Sequence, residues 1–354
     1  MQPSRSPDSF SSFSQAISEL VERLPALQHG RWIQRALGAV VHLAQQDLDR
    51  LDWKILASAQ RDMEQGFRLF RPYRHIRKVA IFGSSRLPQD SPEYRMALEF
   101  ARCMTQQKFM AITGAGGGIM QAGNEGAGAE NSFGLNIQLP FEYKTNPFIE
   151  ECRRINFKYF FTRKLFFLRE SDAIALFPGG FGTQDEAFEC LTLSQTGKFG
   201  PAPLILIDRP GGNYWQAWNQ YIQNHLLQPG LISAEDTHLY TITDRAEVAC
   251  KAITDFYRCY HSSRYVDQQL VIRLNQALSE TNIEQLNTQF NDILVQGKIE
   301  ASNALPQEAG DGTESLPRLI LHFNRQHCGR LHQLIATINQ LGLEAKETKH
   351  PERK

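Results

Sequence analysis

Five short apolar segments recur along the middle of the chain, and most of them end in glycine, proline or an acidic residue. They lie at residues 79–82, 109–112, 133–137, 173–177 and 203–207. Helical periodicity fills most of the intervals, over residues 92–107, 119–129, 157–170, 183–196 and 213–227. Continuous apolar strands that alternate with helices are typical of a parallel sheet covered on both faces. We therefore predict an α/β fold, with ligand-binding loops at the carboxyl ends of the strands.

The two ends of the chain follow different patterns. Apolar residues recur at helical spacing over residues 11–71, with breaks at Pro25 and Gly30, which predicts an N-terminal helical segment that acts as an amphipathic cap or a partner surface. After a helix at 246–260, segments 268–274, 280–293, 298–301, 319–323 and 329–341 predict the order β-α-β-β-α, most of a ferredoxin-like α+β unit. We thus expect three domains, at 1–75, 76–260 and 261–354.

Composition and charge narrow the function classes. Of the 354 residues 42% are hydrophobic, which excludes disorder as the main state, and 38 Lys and Arg balance 38 Asp and Glu. A zero net charge argues against a protein that holds duplex DNA through its overall field, but it allows a small anionic ligand in a local positive pocket. No apolar run reaches the roughly 20 residues of a membrane span, and the start lacks the apolar core of a secretory signal.

We therefore expect a cytoplasmic protein with no nucleic-acid or membrane partner. The six cysteines and ten histidines are dispersed along the chain. This scatter favours reduced core thiols and predicts no structural metal site.

The main candidate site is the glycine loop that follows the strand at 173–177. Residues 178–186 read Pro-Gly-Gly-Phe-Gly-Thr-Gln-Asp-Glu and lead into a helix. Glycines let a loop present backbone N–H groups, and a helix start adds unpaired donors, so the loop can cradle a phosphate. An alternative is structural: Thr183 and Glu186 fit a capping box, in which Thr183 caps the helix and Glu186 binds back to it.

Three further features accompany this loop. Residues 113–118 form a second glycine loop containing Gly114, Gly116 and Gly118, and Gly83, Ser84 and Ser85 end the first strand. Each could bind phosphate, serve as a tight turn, or cap the next helix. Arg163 and Lys164 lie in an otherwise apolar helix. Such cations either reach solvent or point to the carboxyl ends of the strands, where a ligand would bind.

The combination resembles the paired signature of the LONELY GUY family, an Arg-Lys dipeptide followed by Pro-Gly-Gly-x-Gly-Thr-x-x-Glu. The dipeptide is Arg163-Lys164, and the second motif is residues 178–186. The loop at 113–118 resembles the family's glycine-rich loop, and residues 133–140 with 146–148 resemble its longer bacterial members. The resemblance covers about residues 76–260 and implies a Rossmann-like fold.

The resemblance also implies a function. The family hydrolyses the N-glycosidic bond of nucleoside 5′-monophosphates, such as AMP or cytokinin riboside monophosphates, to the free base and ribose 5-phosphate. Carried over, the catalytic residues are Arg163 and Glu186. The substrate-binding residues are Gly83, Ser84, Ser85, Gly114, Gly116, Gly118, Lys164, Gly179, Gly180, Gly182, Thr183 and Thr192.

The family resemblance implies a homodimer that needs no cofactor or metal. Members were often labelled lysine decarboxylases, but nothing in the sequence indicates a pyridoxal phosphate site. Two alternatives remain: a non-catalytic nucleotide or molybdenum-cofactor carrier of the same fold, and a regulatory protein whose end segments bind partners. Fold analogy adds a small-molecule effector at the C-terminal unit.

Overall fold

The computed structural model describes Glu19, Leu27 and residues 29–139 and 145–347. The helical periodicity predicted for the rest of residues 11–28 lies outside this part of the chain. The chain divides into two compact units, Met1–Arg61 and Asp62–Lys354. The second unit contains both sheets, so the three-domain bounds at 75/76 and 260/261 stay a prediction.

The first unit contains α1 (Gly30–Ala44) and the beginning of α2 (Arg50–Phe70), which ends in the second unit. Large apolar side chains are exposed on both helices, among them Trp32, Ile33 and Leu51. The role of this segment as a cap or partner surface stays a prediction.

A seven-stranded sheet of parallel neighbours forms the centre of the second unit. Its strands are β1 (Lys78–Phe82), β2 (Met110–Thr113), β3 (Ser132–Ile137), β4 (Arg154–Phe157), β5 (Ala173–Leu176), β6 (Leu204–Ile207) and β7 (Thr241–Thr243). The order is β4-β3-β2-β1-β5-β6-β7, so the winding direction reverses between β1 and β5. In such sheets the ligand crevice opens at this switch point, outside the carboxyl ends of the two strands.

Helices connect the strands and pack around the sheet. They are α3 (Pro92–Gln106), α4 (Ile119–Ala127), α5 (Phe160–Glu170), α6 (Phe181–Gln195), α7 (Tyr214–Ile222) and α8 (Ala246–Phe256). One apolar core groups α3, α4 and α8 with alternate residues of the strands, and another groups α5, α6 and α7 with the other residues. β1, β2, β5 and β6 are buried from both sides, which explains their unbroken apolar sequences, and the sheet with its helices confirms the predicted α/β fold.

A four-stranded antiparallel sheet follows. Its strands are β8 (Tyr260–Val266), β9 (Gln269–Leu274), β10 (Leu294–Ser302) and β11 (Arg318–Phe323), in the order β10-β11-β9-β8. The helices α9 (Glu280–Gln289) and α10 (Cys328–Glu347) accompany this four-stranded sheet. Their apolar side chains and those of the sheet form a core separate from the two cores of the parallel sheet. The second, smaller α+β unit is confirmed, and the structure adds β8 at its start, a strand whose Ser-Ser-Arg sequence is too polar to show the apolar pattern.

Candidate functional site

The loops after β1, β2 and β5 meet at the switch point of the sheet. Ser84 links them: its backbone N–H donates to Pro178 O at 3.0 Å, and its carbonyl accepts from Ile119 N at 3.0 Å. Gly118 has a φ of +59°, and a Cβ there would overlap the Ser84 carbonyl oxygen. Only glycine accepts this backbone conformation without strain. The three glycine-bearing strand ends therefore form one connected rim.

The loop after β5 leaves an open set of backbone donors. α6 begins at Phe181 with Gly180 as its N-cap, and a Cβ at Gly180 or Gly182 would meet nothing within 4 Å. The first N–H groups of a helix lack partners inside it, and the helix dipole is positive there. The arrangement is suited to an anion such as a phosphate.

Thr183 lies within the first turn of α6, and the N-cap forms no side-chain hydrogen bond. The capping-box interpretation, with Thr183 as the N-cap, is therefore wrong. The chain leaves β5 in an extended conformation as far as Gly180, so the helix starts earlier than the Thr-x-x-Glu pattern predicts. This shift buries both the Thr183 and the Glu186 side chains.

Tyr214 at the start of α7 supports this loop from the outside. Its hydroxyl donates to Gly179 O at 2.6 Å and accepts from Gln184 Nε2 at 2.6 Å. A Cβ on Gly179 would overlap Thr183 Oγ1, so the loop packs tightly against the helix it precedes. The loop shape is thus held by contacts on both sides of the cradle.

Buried polar side chains hold the second glycine loop. Asn124 Oδ1 accepts from Thr113 Oγ1 at 2.6 Å and from Asn146 Nδ2 at 3.0 Å. Asn146 Nδ2 also donates to Gly116 O at 3.0 Å. Since buried polar groups are costly unless paired, this network fixes the loop in one shape.

Arg163 points into the same region from α5. Its Nε donates to Leu135 O at 2.7 Å, and its guanidinium lies 5.1 Å from the Phe167 ring centroid. A Cβ on Gly114 would overlap Arg163 Nη2, so the second glycine loop makes room for this cation. Burial lowers the pKa of Arg163, and the charge of Glu186 opposes that shift.

Glu186 lies on α6, and its side chain is 10% exposed. Burial raises the pKa of this carboxyl from its ordinary 4.5 to about 7, although the positive charges of Lys164 and Arg163 act in the opposite direction. The charges of Glu189 and Asp185 add to the increase. A carboxyl with a pKa near neutrality can both accept and donate a proton at physiological pH.

Lys164 is bound by carboxylates. Its Nζ lies 2.6 Å from Glu189 Oε2, 2.9 Å from Asp185 Oδ2 and 3.9 Å from Glu186 Oε2. Burial disfavours its charge, but the hydrogen bonds to Glu189 and Asp185 outweigh that effect and raise the pKa of Lys164. Its predicted role as a substrate ligand stays a prediction, and in this structure its charge is used to hold α5 against α6.

Asp62, past the middle of α2, caps the chain segment that leads into the helix carrying Arg163. Its carboxylate accepts from the backbone N–H groups of Lys158 and Tyr159 at 3.0 and 3.3 Å, and from Thr162 Oγ1 at 2.7 Å. Sequence reasoning assigned no chemical role to this segment. The signal was an acidic residue on the apolar face, since Asp62, Gly66 and Phe70 are buried at a spacing of four.

The structure places the other predicted site residues as follows. Gly83, Ser84, Gly114, Gly116, Gly118, Gly179, Gly180, Gly182 and Thr183 belong to the connected rim, and Ser85 is exposed at its edge. Thr192 is exposed on α6, six residues and thus about 9 Å along the helix from Glu186. Its assignment as a ligand stays a prediction.

Two other findings concern the described residues. Within residues 29–139 and 145–347, no group of three or more His, Cys, Asp or Glu side chains is placed to hold a metal ion. Among the helices of the same part of the chain, none is long and apolar enough to cross a membrane.

The fold and the glycine loops at its switch point define a doubly wound α/β protein of the Rossmann type. Residues 115–253 match the family model described as "Possible lysine decarboxylase". The match covers 139 of the 354 residues and is consistent with the resemblance to the LONELY GUY family. No curated protein matches the chain significantly.

Several solved structures are similar in part. The structural-genomics protein TM1055 is 23% identical, with a TM-score of 0.37, over 51% of this chain and 99% of its own. The molybdenum cofactor binding protein of Rippkaea orientalis is 15% identical, with a TM-score of 0.35, over 50% of this chain and 93% of its own. The molybdenum cofactor carrier protein of Chlamydomonas reinhardtii is 16% identical, with a TM-score of 0.35, over 51% of this chain and 97% of its own.

Proposed function

We propose that this protein hydrolyses the N-glycosidic bond of nucleoside 5′-monophosphates. The proposal rests on Glu186, a buried carboxyl with a pKa of about 7. It lies about one turn after the start of α6, the helix whose first N–H groups form the anion cradle. Perturbed carboxyls in a crevice are typical of proton-transfer sites. Arg163 lies close enough to interact with its charge.

In the proposed reaction, the open N–H groups of Phe181, Gly182 and Thr183 bind the 5′-phosphate. The C1′–N bond breaks, and the base leaves with the bonding electron pair and takes up a proton. Positive charge develops on the ribose, as in glycoside hydrolysis, and the ionised Glu186 stabilises it. A water oxygen bonds to C1′ and gives one proton to Glu186. Glu186 releases this proton to the solvent, which replaces the one that the departing base took up, so the products are ribose 5-phosphate and the neutral base.

Arg163 orients this carboxylate or contacts the substrate. Its Nε is committed to Leu135 O, so Nη1 and Nη2 are the atoms that face the loops. Two points of substrate binding, the phosphate and the reacting centre, would hold the ribose between them. Such positioning supplies much of the rate increase in reactions of this kind.

The decarboxylase description of the family does not suit this site. A pyridoxal phosphate enzyme needs a lysine whose amine loses its proton easily to form a Schiff base. The lysine beside the loops is Lys164, whose pKa is raised by its carboxylate partners. We therefore derive no step through that cofactor.

The test compares three proteins incubated with AMP, with free adenine and ribose 5-phosphate measured by chromatography. We expect the wild type to release adenine and Glu186→Gln to lose at least 100-fold in kcat, the lower range for a proton-transfer group. Glu247→Gln, which neutralises an exposed carboxylate on α8, is the control and should retain the activity of the wild type. A panel including isopentenyladenosine monophosphate would define the base preference.

Tight binding of AMP by the wild type without any release of base would contradict the hydrolase proposal. That result would favour the carrier function, which needs the cradle but not the Arg163–Glu186 pair. Equal turnover by wild type and Glu186→Gln would remove Glu186 from the mechanism.

We also propose that this protein is cytoplasmic and that it forms a homodimer. Large apolar side chains are exposed beside the site: Phe160, Phe161 and Leu165 on α5, and Phe181, which is 97% exposed, at the start of α6. Apolar side chains clustered in this way are typical of interaction surfaces. Sedimentation velocity of the wild type and of Phe161→Ser would test the assembly, and a monomeric wild type would contradict it.

A further inference from the structure

A cavity of about 130 Å³ lies between the end of α6 and the small sheet, away from the glycine loops. Phe199, Leu270, Phe323 and Leu331 contribute apolar walls. All of these residues belong to the compact unit Asp62–Lys354. An apolar cavity of similar volume, about 150 Å³, accommodates a benzene molecule. The cavity is therefore large enough for a compound whose apolar part is about the size of one benzene ring.

Two polar side chains line this cavity without using their hydrogen-bonding capacity. Ser194, in the last turn of α6, is 7% exposed, and His332 on α10 is 9% exposed. In the part of the chain that the structure describes, neither side chain forms a hydrogen bond. Ser194 and His332 are thus available to a ligand, because no hydrogen bond of the described residues uses their side chains.

The protonation state of the His332 ring determines which groups of a ligand it can bind. Burial lowers the pKa of this imidazole to about 4, and the positive charge of His238 adds to the effect. The ring is therefore neutral at physiological pH, with one nitrogen that donates and one that accepts. The Ser194 hydroxyl also donates and accepts, so these two residues suit a hydroxyl or amino group of a ligand.

Arg264 provides a positive charge among the residues that line the cavity. One of its nitrogens lies 3.5 Å from Asp311 Oδ2, while a guanidinium has five N–H donors in all. Two other arginines of this unit, Arg273 and Arg318, are committed to the buried Glu308. Arg264 thus retains donors that suit a carboxylate.

We propose that this cavity binds a small carboxylic acid with a ring-sized or branched apolar body, using Ser194 and His332 for a second polar group and Arg264 for the carboxylate. The ligand would contact the same helix that carries Glu186, about 12 Å along its axis. The site is separate from the proposed hydrolytic site and does not depend on it.

The experiment measures binding of three probes to the full chain: benzoate, 4-hydroxybenzoate and 4-methylpentanoate. Ligand-observed NMR and the shift of the melting temperature report binding without any need for activity. We expect saturable binding of at least one probe, with 4-hydroxybenzoate binding more tightly than benzoate. Arg264→Gln should weaken binding about tenfold, the effect of losing one charged hydrogen bond.

Ser194→Ala should weaken the binding of 4-hydroxybenzoate and leave that of benzoate unchanged, and it should fold because the hydroxyl has no partner to lose. Arg245→Gln, an exposed arginine at the start of α8, is the control and should bind like the wild type. Absence of saturable binding for all three probes, the result expected if the cavity holds water only, would overturn the proposal. Equal affinities in Arg264→Gln and the wild type would overturn it as well.

Discussion

At the scale of single residues, Glu186 combines burial, a pKa near neutrality and a position beside the anion cradle. Its neighbours act in opposite directions, because Lys164 and Arg163 favour the carboxylate, whereas Glu189 and Asp185 disfavour it. The sequence predicted Glu186 and Arg163 through their motif. Glu189 was missed, since only the helix geometry brings it 2.6 Å from Lys164.

These opposing neighbours lead to a prediction about pH dependence. If Glu186 acts ionised, kcat for AMP cleavage should fall below a pH of about 7, where the carboxyl becomes protonated. Lys164→Met removes a favourable charge and should move this acidic limb up by about one unit, while Glu189→Gln should move it down. The measurement is the pH–rate profile of each variant. Shifts of the same sign in both variants would contradict the assignment.

The raised pKa also implies a cost in stability. Between pH 4.5 and 7 the folded protein binds a proton that the unfolded chain has lost, so its stability falls as pH rises through this window. Glu186→Gln cannot ionise, and at pH 8 it should therefore be more stable than the wild type by up to about 3 kcal/mol.

Urea unfolding at pH 4 and pH 8 would measure this difference. At pH 4 the carboxyl is neutral in both states, so the gain of Glu186→Gln over the wild type should disappear. Glu247→Gln, an exposed carboxylate on α8, serves as the control and should show no such dependence. A destabilised Glu186→Gln at pH 8 would mean that partners, and not burial, dominate at this position.

At the scale of elements, α5 is positioned by a side chain from another helix. Asp62 of α2 accepts hydrogen bonds from the backbone N–H groups of Lys158 and Tyr159, just before α5, and from Thr162 Oγ1. α5 has no side-chain cap of its own, because Tyr159 occupies the N-cap position. The place of Arg163 in the site thus depends on a residue about 100 positions earlier in the chain.

Asp62→Asn should therefore weaken both the fold and the site. Loss of the charged cap is expected to lower the free energy of unfolding by about 1 kcal/mol and to reduce kcat for AMP cleavage. Urea unfolding and steady-state kinetics measure the two effects. Glu64→Gln, an exposed position on the same helix, is the control and should change neither. Unchanged kinetics with lowered stability would show that α5 keeps its position without this cap.

Several elements could be predicted because their patterns are local. Strands β1, β2, β3, β5 and β6 and the helices between them match the predicted segments, since burial on both faces leaves an unbroken apolar run. β4 and β7 were not predicted. β4 contains exposed Asn156 and partly exposed Arg154 at the edge of the sheet, and β7 is three residues of Thr-Ile-Thr, so neither shows that pattern.

At the scale of the whole molecule, the small sheet has its own charged centre. Glu308 is fully buried, and its carboxylate accepts from Arg273 Nε at 2.9 Å, from Arg318 Nε at 2.8 Å and from Leu305 N at 3.1 Å. Arg318 also donates to the carbonyl of Thr313 in the preceding loop at 2.9 Å. The network ties the loop before β11 to the sheet.

Glu308→Gln would leave the buried Arg318 without its counter-charge and Arg273 with Asp311 alone. We expect a loss of about 3–5 kcal/mol in the free energy of unfolding, the usual result of breaking a buried ion pair from one side. Adenine release per folded molecule should stay unchanged, because the glycine loops belong to the other sheet. Thermal unfolding and turnover at a temperature below the transition measure both. Glu300→Gln, exposed on β10, is the control.

The sequence by itself determined the order of strands and helices and the positions of the glycine loops, because apolar periodicity and turn residues act over short distances. The tertiary structure decided the reversal of the sheet between β1 and β5, which brings the loops after these strands together. It also decided the meeting of Arg163 with Gly114, the capping of α5 by Asp62 and the raised pKa of Glu186. These properties depend on burial and on contacts between residues far apart in the chain, which no local pattern contains.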